Sequence, residues 1–135
     1  IRFLSNMGNK YMKNLEENSV FKNFMSIEDI KNYVNNNVER KAEYIYVPEK
    51  QLLFSIMVYV FEHIDEPYQN METVNKFLQM SYLKDNKNHR IFDMIIVTIP
   101  EDDIARKNYI NVRENCDEIT YNTIINNLFT SVIKY

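Results

Sequence analysis

The chain is poor in the residues that punctuate β-rich folds and in those that form covalent or metal cross-links. Glycine occurs once and proline three times in 135 residues. Because tight hairpin turns need positive φ angles, which glycine adopts most easily, this scarcity argues against a fold rich in β-hairpins. Cys116 is the single cysteine, so an internal disulfide and a thiolate zinc site are both excluded. One unpaired thiol fits a reducing compartment.

Other functional classes lack their sequence signature. No GxxxxGK[ST] motif occurs, which excludes nucleotide binding by a Walker loop, and no HExxH pattern is present. The apolar stretch from Leu52 to Phe61 has half of the roughly twenty residues that a membrane-spanning helix needs. No signal-peptide pattern opens the chain. The sequence begins at Ile1 without a methionine, and we therefore interpret it as a fragment of a longer polypeptide.

What is present is typical of one helical globular domain. The chain is 45% hydrophobic and 26% charged, and its length suits a single core. Asparagine is abundant and can begin helices as an N-cap or end them in a left-handed conformation. The sequence therefore predicts an all-α fold over residues 1–135, a compact helical bundle of about six to seven helices.

Apolar residues at helical spacing predict the N-terminal helices. The first 25 residues predict a helix and then a turn. Ser26, three residues before Asp29, predicts a capping-box start for the next helix. Pro48 is expected in the first turn of a helix that runs to Ile64, with Glu49 beside it complementing the helix dipole. That helix is apolar almost all round, so we expect it to form the centre of the core.

The C-terminal half predicts four more helices. Asn70 is expected to cap a helix with one apolar face, formed by Met71, Val74, Phe77, Leu78 and Tyr82. The segment 90–99 is rich in β-branched residues but has no partner strand, so we interpret it as a short buried helix. Pro100 is expected to open the next helix, and Asp117 the last. The last helix has a regular apolar face, formed by Tyr121, Ile124, Ile125, Leu128, Phe129 and Val132.

No group of residues indicates an active site. His63 and His89 are far apart in sequence, and a metal site would need carboxylates such as Glu62 or Asp93 to join one of them. We interpret both histidines as a helix-end and a loop residue, and Cys116 as a buried, inert thiol. The acidic clusters at 65–66 and 101–103 are expected at helix ends, where carboxylates favour the helix dipole. No catalytic residue, cofactor or metal is predicted.

Basic residues form at most a modest patch. The net charge is −3 and the pI about 5.4, which does not suggest a protein that coats nucleic-acid phosphates. Arg40 and Lys41 are flanked by acids. The candidate contacts with DNA or a protein partner are Arg106, Lys107 and Arg113.

One stretch resembles a known family. Residues 52–80, "LLFSIMVYVFEHIDEPYQNMETVNKFLQM", are similar to the inserted all-α domain of VirD4/TraG-type coupling proteins, the ATPases of conjugative type IV secretion, in their Gram-positive form. The family pattern is an apolar helix ending Tyr-hydrophobic-aromatic-Glu, an acidic turn, and then Gln-Asn-aromatic-x-Thr-Val and a leucine. The matching positions are Tyr59, Val60, Phe61, Glu62, Asp65, Glu66, Gln69, Asn70, Met71, Thr73, Val74 and Leu78.

The similarity continues to the end of the chain. Asp93 matches a Leu-Asp-x-Leu-Phe element, and Ala105 with Tyr109 matches Ala-x-x-x-Tyr. A Thr-x-x-Ser-Ile element corresponds to Thr120, Thr123 and Ile124. The chain departs from the family where Gly-Lys usually precedes that threonine, because Glu118–Ile119 stands there. The match covers roughly residues 46–135, and residues 1–45 are unplaced or family-specific.

The resemblance implies a non-catalytic substrate-recognition domain that recruits relaxase or relaxosome substrates to a translocation motor. It also implies a hexameric, membrane-anchored parent ATPase with this domain on its cytoplasmic side, and possible weak contact with DNA. An independent alternative is a stand-alone helical DNA-binding or regulatory protein. A recognition helix would need a clustered basic face, which none of the predicted helices has. A small metal-dependent enzyme would rest on two histidines alone.

Overall fold

The computed structural model describes residues 19–131, and over that range the chain is all-helical. Two short 3-10 helices, Val20–Asn23 and Glu66–Tyr68, accompany six α-helices. The α-helices are α1 (Ile27–Asn37), α2 (Glu43–His63), α3 (Met71–Tyr82), α4 (Ile91–Ile96), α5 (Ile104–Asn115) and α6 (Glu118–Ser131). Because no β-strand occurs within residues 19–131, the predicted all-α bundle is confirmed. Most of the helix predicted over the first 25 residues lies outside the described range.

Helix α2 is the centre of the fold, as its composition predicts. Helices α1, α3, α5 and α6 all pack against it. Its interior side chains are inaccessible to solvent on every side, including Leu52, Leu53, Ile56, Met57, Val58 and Val60. A helix that is apolar all round is stable in water only when neighbours cover every face. The other helices are therefore arranged as a shell around α2.

Helix α2 begins earlier than the sequence predicts. It starts at Glu43, so Pro48 lies inside the helix and its predicted first-turn position is wrong. A proline at an interior position removes one backbone hydrogen bond and strains the preceding turn. Ile45 and Tyr46 are buried in the first turns of α2. We attribute the extra helical turn before Pro48 to this burial, because the packing of Ile45 and Tyr46 outweighs the free-energy cost of a proline inside the helix.

Glu49 also differs from its predicted place in the first turn beside the helix dipole, because α2 starts at Glu43 and that prediction is wrong. Its side chain is fully buried. The carboxylate accepts hydrogen bonds from Lys41 Nζ, in the α1–α2 loop, and from Asn127 Nδ2 of α6, at 2.8 Å. A buried carboxylate is tolerated only when such partners replace water. Glu49 thus ties α2 to both neighbours.

The turn between α2 and α3 is closed by side-chain caps. Gln69 Nε2 donates to the carbonyl oxygens of Phe61 (3.0 Å) and Ile64 (2.9 Å), which lie at the end of α2. Asn70 Oδ1 accepts the backbone N–H of Thr73 at 2.9 Å, which confirms the predicted cap of α3. Adjacent residues therefore satisfy free backbone groups of both helices. Four of the five residues predicted on the apolar face of α3 are buried, whereas Tyr82 is 42% exposed, so its predicted place there is wrong.

Two other helices start where the sequence predicts, and a carboxylate caps each of them. Asp29 Oδ2 accepts the backbone N–H groups of Ser26 (3.2 Å) and Met25 (2.7 Å) at the start of α1. Asp117 Oδ1 accepts the N–H of Thr120 at 2.7 Å, and α6 begins at the next residue after Asp117. These carboxylates lie where the helix dipole favours negative charge.

The segment 90–99 forms a short helix, as predicted. Helix α4 spans only six residues and follows a polar loop in which Asn88 has a φ of 69°. Helix α5 begins at Ile104, four residues after Pro100, so the predicted start at Pro100 is early. Residues 100–103 form a turn instead, and Asp103 Oδ1 caps α5 by accepting the N–H of Ala105 at 2.9 Å.

Aromatic side chains join four helices in the core. The Tyr59 ring lies 5.2 Å from Phe77 and 5.4 Å from Phe92, and Phe92 lies 5.0 Å from Tyr109. All three pairs are edge-to-face, the geometry that aromatic quadrupoles favour. These four aromatic side chains thus lie in the interior. Among the described helices, none combines the length and apolarity that crossing a bilayer requires.

Truncating Leu128 should destabilise the fold more than truncating Phe61. Leu128 of α6 is fully buried, whereas Phe61 packs on the same core but is only half-buried. We expect Leu128→Ala to lower the free energy of unfolding by about 2–5 kcal/mol and Phe61→Ala by less. Urea denaturation of the two variants measures the difference. A larger loss of unfolding free energy for Phe61→Ala than for Leu128→Ala would show that the buried faces of α2 and α6 are assigned wrongly.

Candidate functional site

Two of the three predicted contact residues act inside the fold. Arg106 Nη1 donates to the carbonyl oxygens of Ile99 (2.7 Å) and Val97 (3.3 Å), just beyond the end of α4. Arg113 Nε donates to Asp93 Oδ1 at 3.0 Å, in the first turn of α4. Seven residues separate the two arginines, so both project from the same face of α5. Together they clamp the two ends of α4.

Lys107 is the third predicted contact and lies on an exposed part of α5. With Arg106 it lines a shallow depression that Glu101 and Glu114 also line. The structure therefore brings Arg106 and Lys107 together beside two carboxylates. Arg113 does not line this depression, and its guanidinium forms an ion pair with Asp93 instead. Three basic residues that look like a patch in sequence present little free positive charge here.

A buried arginine that the sequence does not indicate joins three helices. Arg90 is 2% exposed. Its guanidinium donates to the carbonyl oxygen of Tyr82 at the end of α3 and, through Nη2, to Glu118 Oε1 (2.6 Å) and Asn122 Oδ1 (3.0 Å) of α6. The guanidinium carbon also lies 5.1 Å from the centre of the Tyr121 ring. A buried charge needs this many partners, so Arg90 fixes α4 against α3 and α6.

Asp93 stands at the centre of a second polar cluster. Tyr109 OH donates to its Oδ1 at 2.6 Å, and Arg113 Nη2 approaches its Oδ2 at 3.2 Å. Burial of the Asp93 carboxyl opposes ionisation, but hydrogen bonds from Arg113 and Tyr109 outweigh it and hold the pKa below its usual 3.8. Asp93 is therefore ionised at neutral pH.

Two buried tyrosines remain protonated donors beside this cluster. Burial raises the pKa of Tyr109 far above its usual range, and the neighbouring Tyr121 raises it further. Burial raises the pKa of Tyr121 to about 12. Tyr121 OH donates to the carbonyl oxygen of Ser81 at 3.1 Å, linking α6 to α3. Because these side chains bond mainly to one another and to backbone carbonyls of neighbouring helices, we interpret the clusters around Arg90 and Asp93 as parts of the scaffold.

The histidine at the end of α2 contacts a carboxylate that the sequence analysis did not name as a possible neighbour. His63 Nε2 lies 2.8 Å from Asp103 Oδ2, whereas Asp93 binds Tyr109 and Arg113. Glu62, His63 and Asp103 offer ligand atoms within 4.8 Å of one another, and Glu62 and His63 are exposed. Asp103 already caps α5 with its other oxygen. We interpret this group as a hydrogen-bonded junction between the end of α2 and the start of α5.

Cys116 is more accessible than predicted. The sequence suggests a buried thiol, whereas the side chain is half-buried at the end of α5. Burial and the neighbouring Asp117 carboxylate raise the pKa of the thiol. The group therefore stays protonated and weakly nucleophilic at neutral pH, which agrees with the predicted inertness.

An open concave surface runs across α2 towards α1 on one side and α5 on the other. A cavity of about 390 Å³ lies between α1, α2 and α5, and one of about 380 Å³ lies between α2, α5 and the start of α6. Val47 and Gln51 line both cavities, so the two adjoin. Tyr44 and Val47 are 71% and 52% exposed there. We call this surface the amide groove, because carboxamide side chains form its floor.

Those carboxamides are connected in a continuous chain of hydrogen bonds. Asn115 Nδ2 donates to Asn111 Oδ1 (2.8 Å), Asn111 Nδ2 to Gln51 Oε1 (2.9 Å), and Gln51 Nε2 to Asn108 Oδ1 (3.0 Å). Asn108 Nδ2 in turn donates to the carbonyl oxygen of Ile104 at 2.8 Å. We call these four side chains the amide chain. Their mutual bonds hold the groups in fixed orientations along the groove.

Sequence reasoning did not identify the amide groove. A signal was present, because positions 108, 111 and 115 are spaced three and four residues apart and so share one face of a helix. Asparagine has a low helix propensity and favours caps and turns, so three asparagines on one face of a helix are unexpected from propensity alone. Gln51, however, lies on a different helix and could be placed beside them only once the packing of α2 on α5 was known.

Comparison with known proteins does not add an identity. The chain matches no family model, no curated protein and no solved structure.

The Asp93 cluster predicts a pH dependence of stability. Because the folded pKa of Asp93 is depressed, its contribution is complete above the unfolded value near 3.8 and is lost as the pH falls through the lower folded value. We expect Asp93→Asn to be less stable than the parent chain at pH 7. The difference in melting temperature between the two proteins should become smaller as the pH falls below about 4. Thermal melts from pH 7 to pH 2.5, roughly the range of acid denaturation, measure it. Asp102→Asn, at an exposed position, is the control, and a gap that stays constant with pH would contradict the assignment.

Proposed function

We propose that this chain is a non-catalytic substrate-recognition domain of a conjugative type IV secretion coupling protein. In this proposal it recruits relaxase or relaxosome proteins to the translocation motor. The resemblance of residues 46–135 to the all-α domain of VirD4/TraG-type coupling proteins suggests the family. The parent would be a hexameric, membrane-anchored ATPase with this domain on its cytoplasmic side. The nucleotide-binding motifs would then belong to another part of the parent.

The positions that carry the resemblance support a scaffold role for them. Gln69 and Asn70 close the α2–α3 turn, and Tyr59 lies in the aromatic core. Ala105 is buried, and Tyr109 holds Asp93. Residues with such roles would be retained for the fold, which leaves recognition to the surface. A family likeness in the scaffold is compatible with partners that differ from one member to another.

The amide groove is the single observation that carries the recognition role. It is open and elongated, and it combines exposed apolar side chains with fixed hydrogen-bonding groups. Concave surfaces of this composition suit protein ligands, because apolar contacts supply affinity and polar groups supply orientation. The Arg106–Lys107 depression fits this role less well, since two carboxylates line it as well.

The chain should bind a relaxosome protein directly. We expect the purified 135-residue chain to bind the relaxase or an accessory protein from the conjugative element that encodes it, with a Kd in the micromolar range of transient complexes. Biolayer interferometry with each purified relaxosome protein measures this. A helical domain of equal size and charge is the control. Failure to bind any relaxosome protein of that element would remove the proposal.

DNA binding, if measured, should be weak. Arg113 is engaged by Asp93 and Arg106 by backbone carbonyls, so Lys107 and at most one arginine can neutralise phosphates. We expect a slope of about −1 to −2 in log affinity against log salt concentration. Fluorescence anisotropy with a labelled duplex measures the slope, and Lys107→Glu should flatten it while Lys87→Glu, in the loop before α4, should not. Tight binding that persists at about 200 mM salt would favour the stand-alone DNA-binding alternative.

A further inference from the structure

We infer that the amide groove binds an extended polypeptide segment through its backbone, with an acidic end towards α1 and a basic end towards α6. The inference deepens the proposed function, on which it rests for the class of partner, by assigning the surface and the chemistry of that partner. Three features of the groove support it: the spare hydrogen-bonding capacity of the amide chain, the length of that chain, and the charges at the two ends of the groove.

The amide chain keeps unused donors and acceptors. A carboxamide has two N–H donors and an oxygen with two lone pairs. Gln51 and Asn111 each use one donor and one lone pair within the amide chain. Each therefore retains a donor and a lone pair on an accessible surface. A peptide backbone offers the complementary pair, because every residue other than proline carries one N–H and one carbonyl oxygen.

The dimensions suit an extended chain. Asn108 and Asn115 lie seven residues apart on α5, which corresponds to about 10 Å along the helix axis. An extended polypeptide rises about 3.3 Å per residue, so three residues span the amide chain. The two cavities extend beyond it at both ends. Because the carboxamides are already fixed by one another, binding costs little side-chain entropy.

Charges at the ends of the groove differ in sign. The charged residues that line the cavity beside α1 are Lys31 and Lys50. Those that line the cavity beside α6 are Glu43 and Asp117. A nucleic acid would be repelled by Glu43 and Asp117 at the α6 end of the groove. A neutral glycan would gain no charge attraction at either end of the groove. A polypeptide with opposite charges at its two ends complements both.

Designed peptides test the inference. The probe is a fluorescein-labelled twelve-residue peptide with three glutamates at one end, three lysines at the other, and alternating serine, threonine and valine between them. A second peptide exchanges the charged ends, which tests the chain direction. Fluorescence polarisation with the 135-residue chain measures affinity. We expect at least one of the two to bind, and a peptide with glutamates at both ends to bind at least fivefold more weakly.

Backbone recognition is tested by removing hydrogen-bond donors from peptide and protein. N-methylation of alternate peptide bonds along the bonded edge should weaken binding at least tenfold, because it deletes several backbone donors at once. Asn111→Ala should weaken binding about fivefold, the usual effect of one lost hydrogen bond. Asn126→Ala is the matched control, since Asn126 is exposed on α6 and lines neither cavity. Far-UV circular dichroism verifies that both variants are folded.

Several results would overturn the inference. These are equal affinity for the methylated and unmethylated peptides, equal effects of Asn111→Ala and Asn126→Ala, and binding of neither charged peptide. A concentration-dependent dimer that Val47→Arg dissociates would assign the groove to a second copy of the chain instead.

The proposed function and this inference can fail separately. Relaxosome binding that survives Val47→Arg and Asn111→Ala would retain the function and reject the groove. Peptide binding that depends on Asn111, without binding to any relaxosome protein, would retain the groove and reject the function.

Discussion

The burial of most of α2 is the constraint on which the rest of the fold depends. A helix whose middle is apolar on all sides requires several neighbours, and α1, α3, α5 and α6 supply them. The same burial forces any polar group on α2 to find its partners inside the protein. Glu49 is the clearest case, because its carboxylate is neutralised by Lys41 and hydrogen-bonded by Asn127. A polar group at the centre thereby fixes the register of the shell around it.

The same packing engages three arginines of the described residues in structural contacts. Arg90, Arg106 and Arg113 all bind groups at the ends of α3, α4 and α6, where short helices expose carbonyl oxygens and capping carboxylates. A helix of six residues such as α4 has few backbone hydrogen bonds of its own, so side-chain clamps replace them. The groove that remains is lined by carboxamides, some apolar side chains and charges of both signs. Such a surface favours protein partners over phosphates.

Sequence reasoning predicted the elements that depend on local chemistry and missed those that depend on packing. The caps at Asp29 and Asn70, the start of the last helix near Asp117 and the central place of α2 follow from a few neighbouring residues, and all are confirmed. The start of α2 at Glu43 could not be predicted, because burial of residues on both sides overrides the proline. The roles of Arg90 and Gln51 could not be predicted either, since their partners lie on other helices.

The separation between scaffold and surface bears on how such a domain can change its partners. Substitutions at Gln69, Asn70 or Tyr109 would remove caps and buried hydrogen bonds on which folding depends. Substitutions in the amide groove change exposed groups whose bonds are mostly to one another, and surface changes of this kind cost little stability. Under the proposed function, such a domain could alter its ligand without altering its fold. The positions that carry the family resemblance would then be the least informative about what it binds, and the groove residues the most.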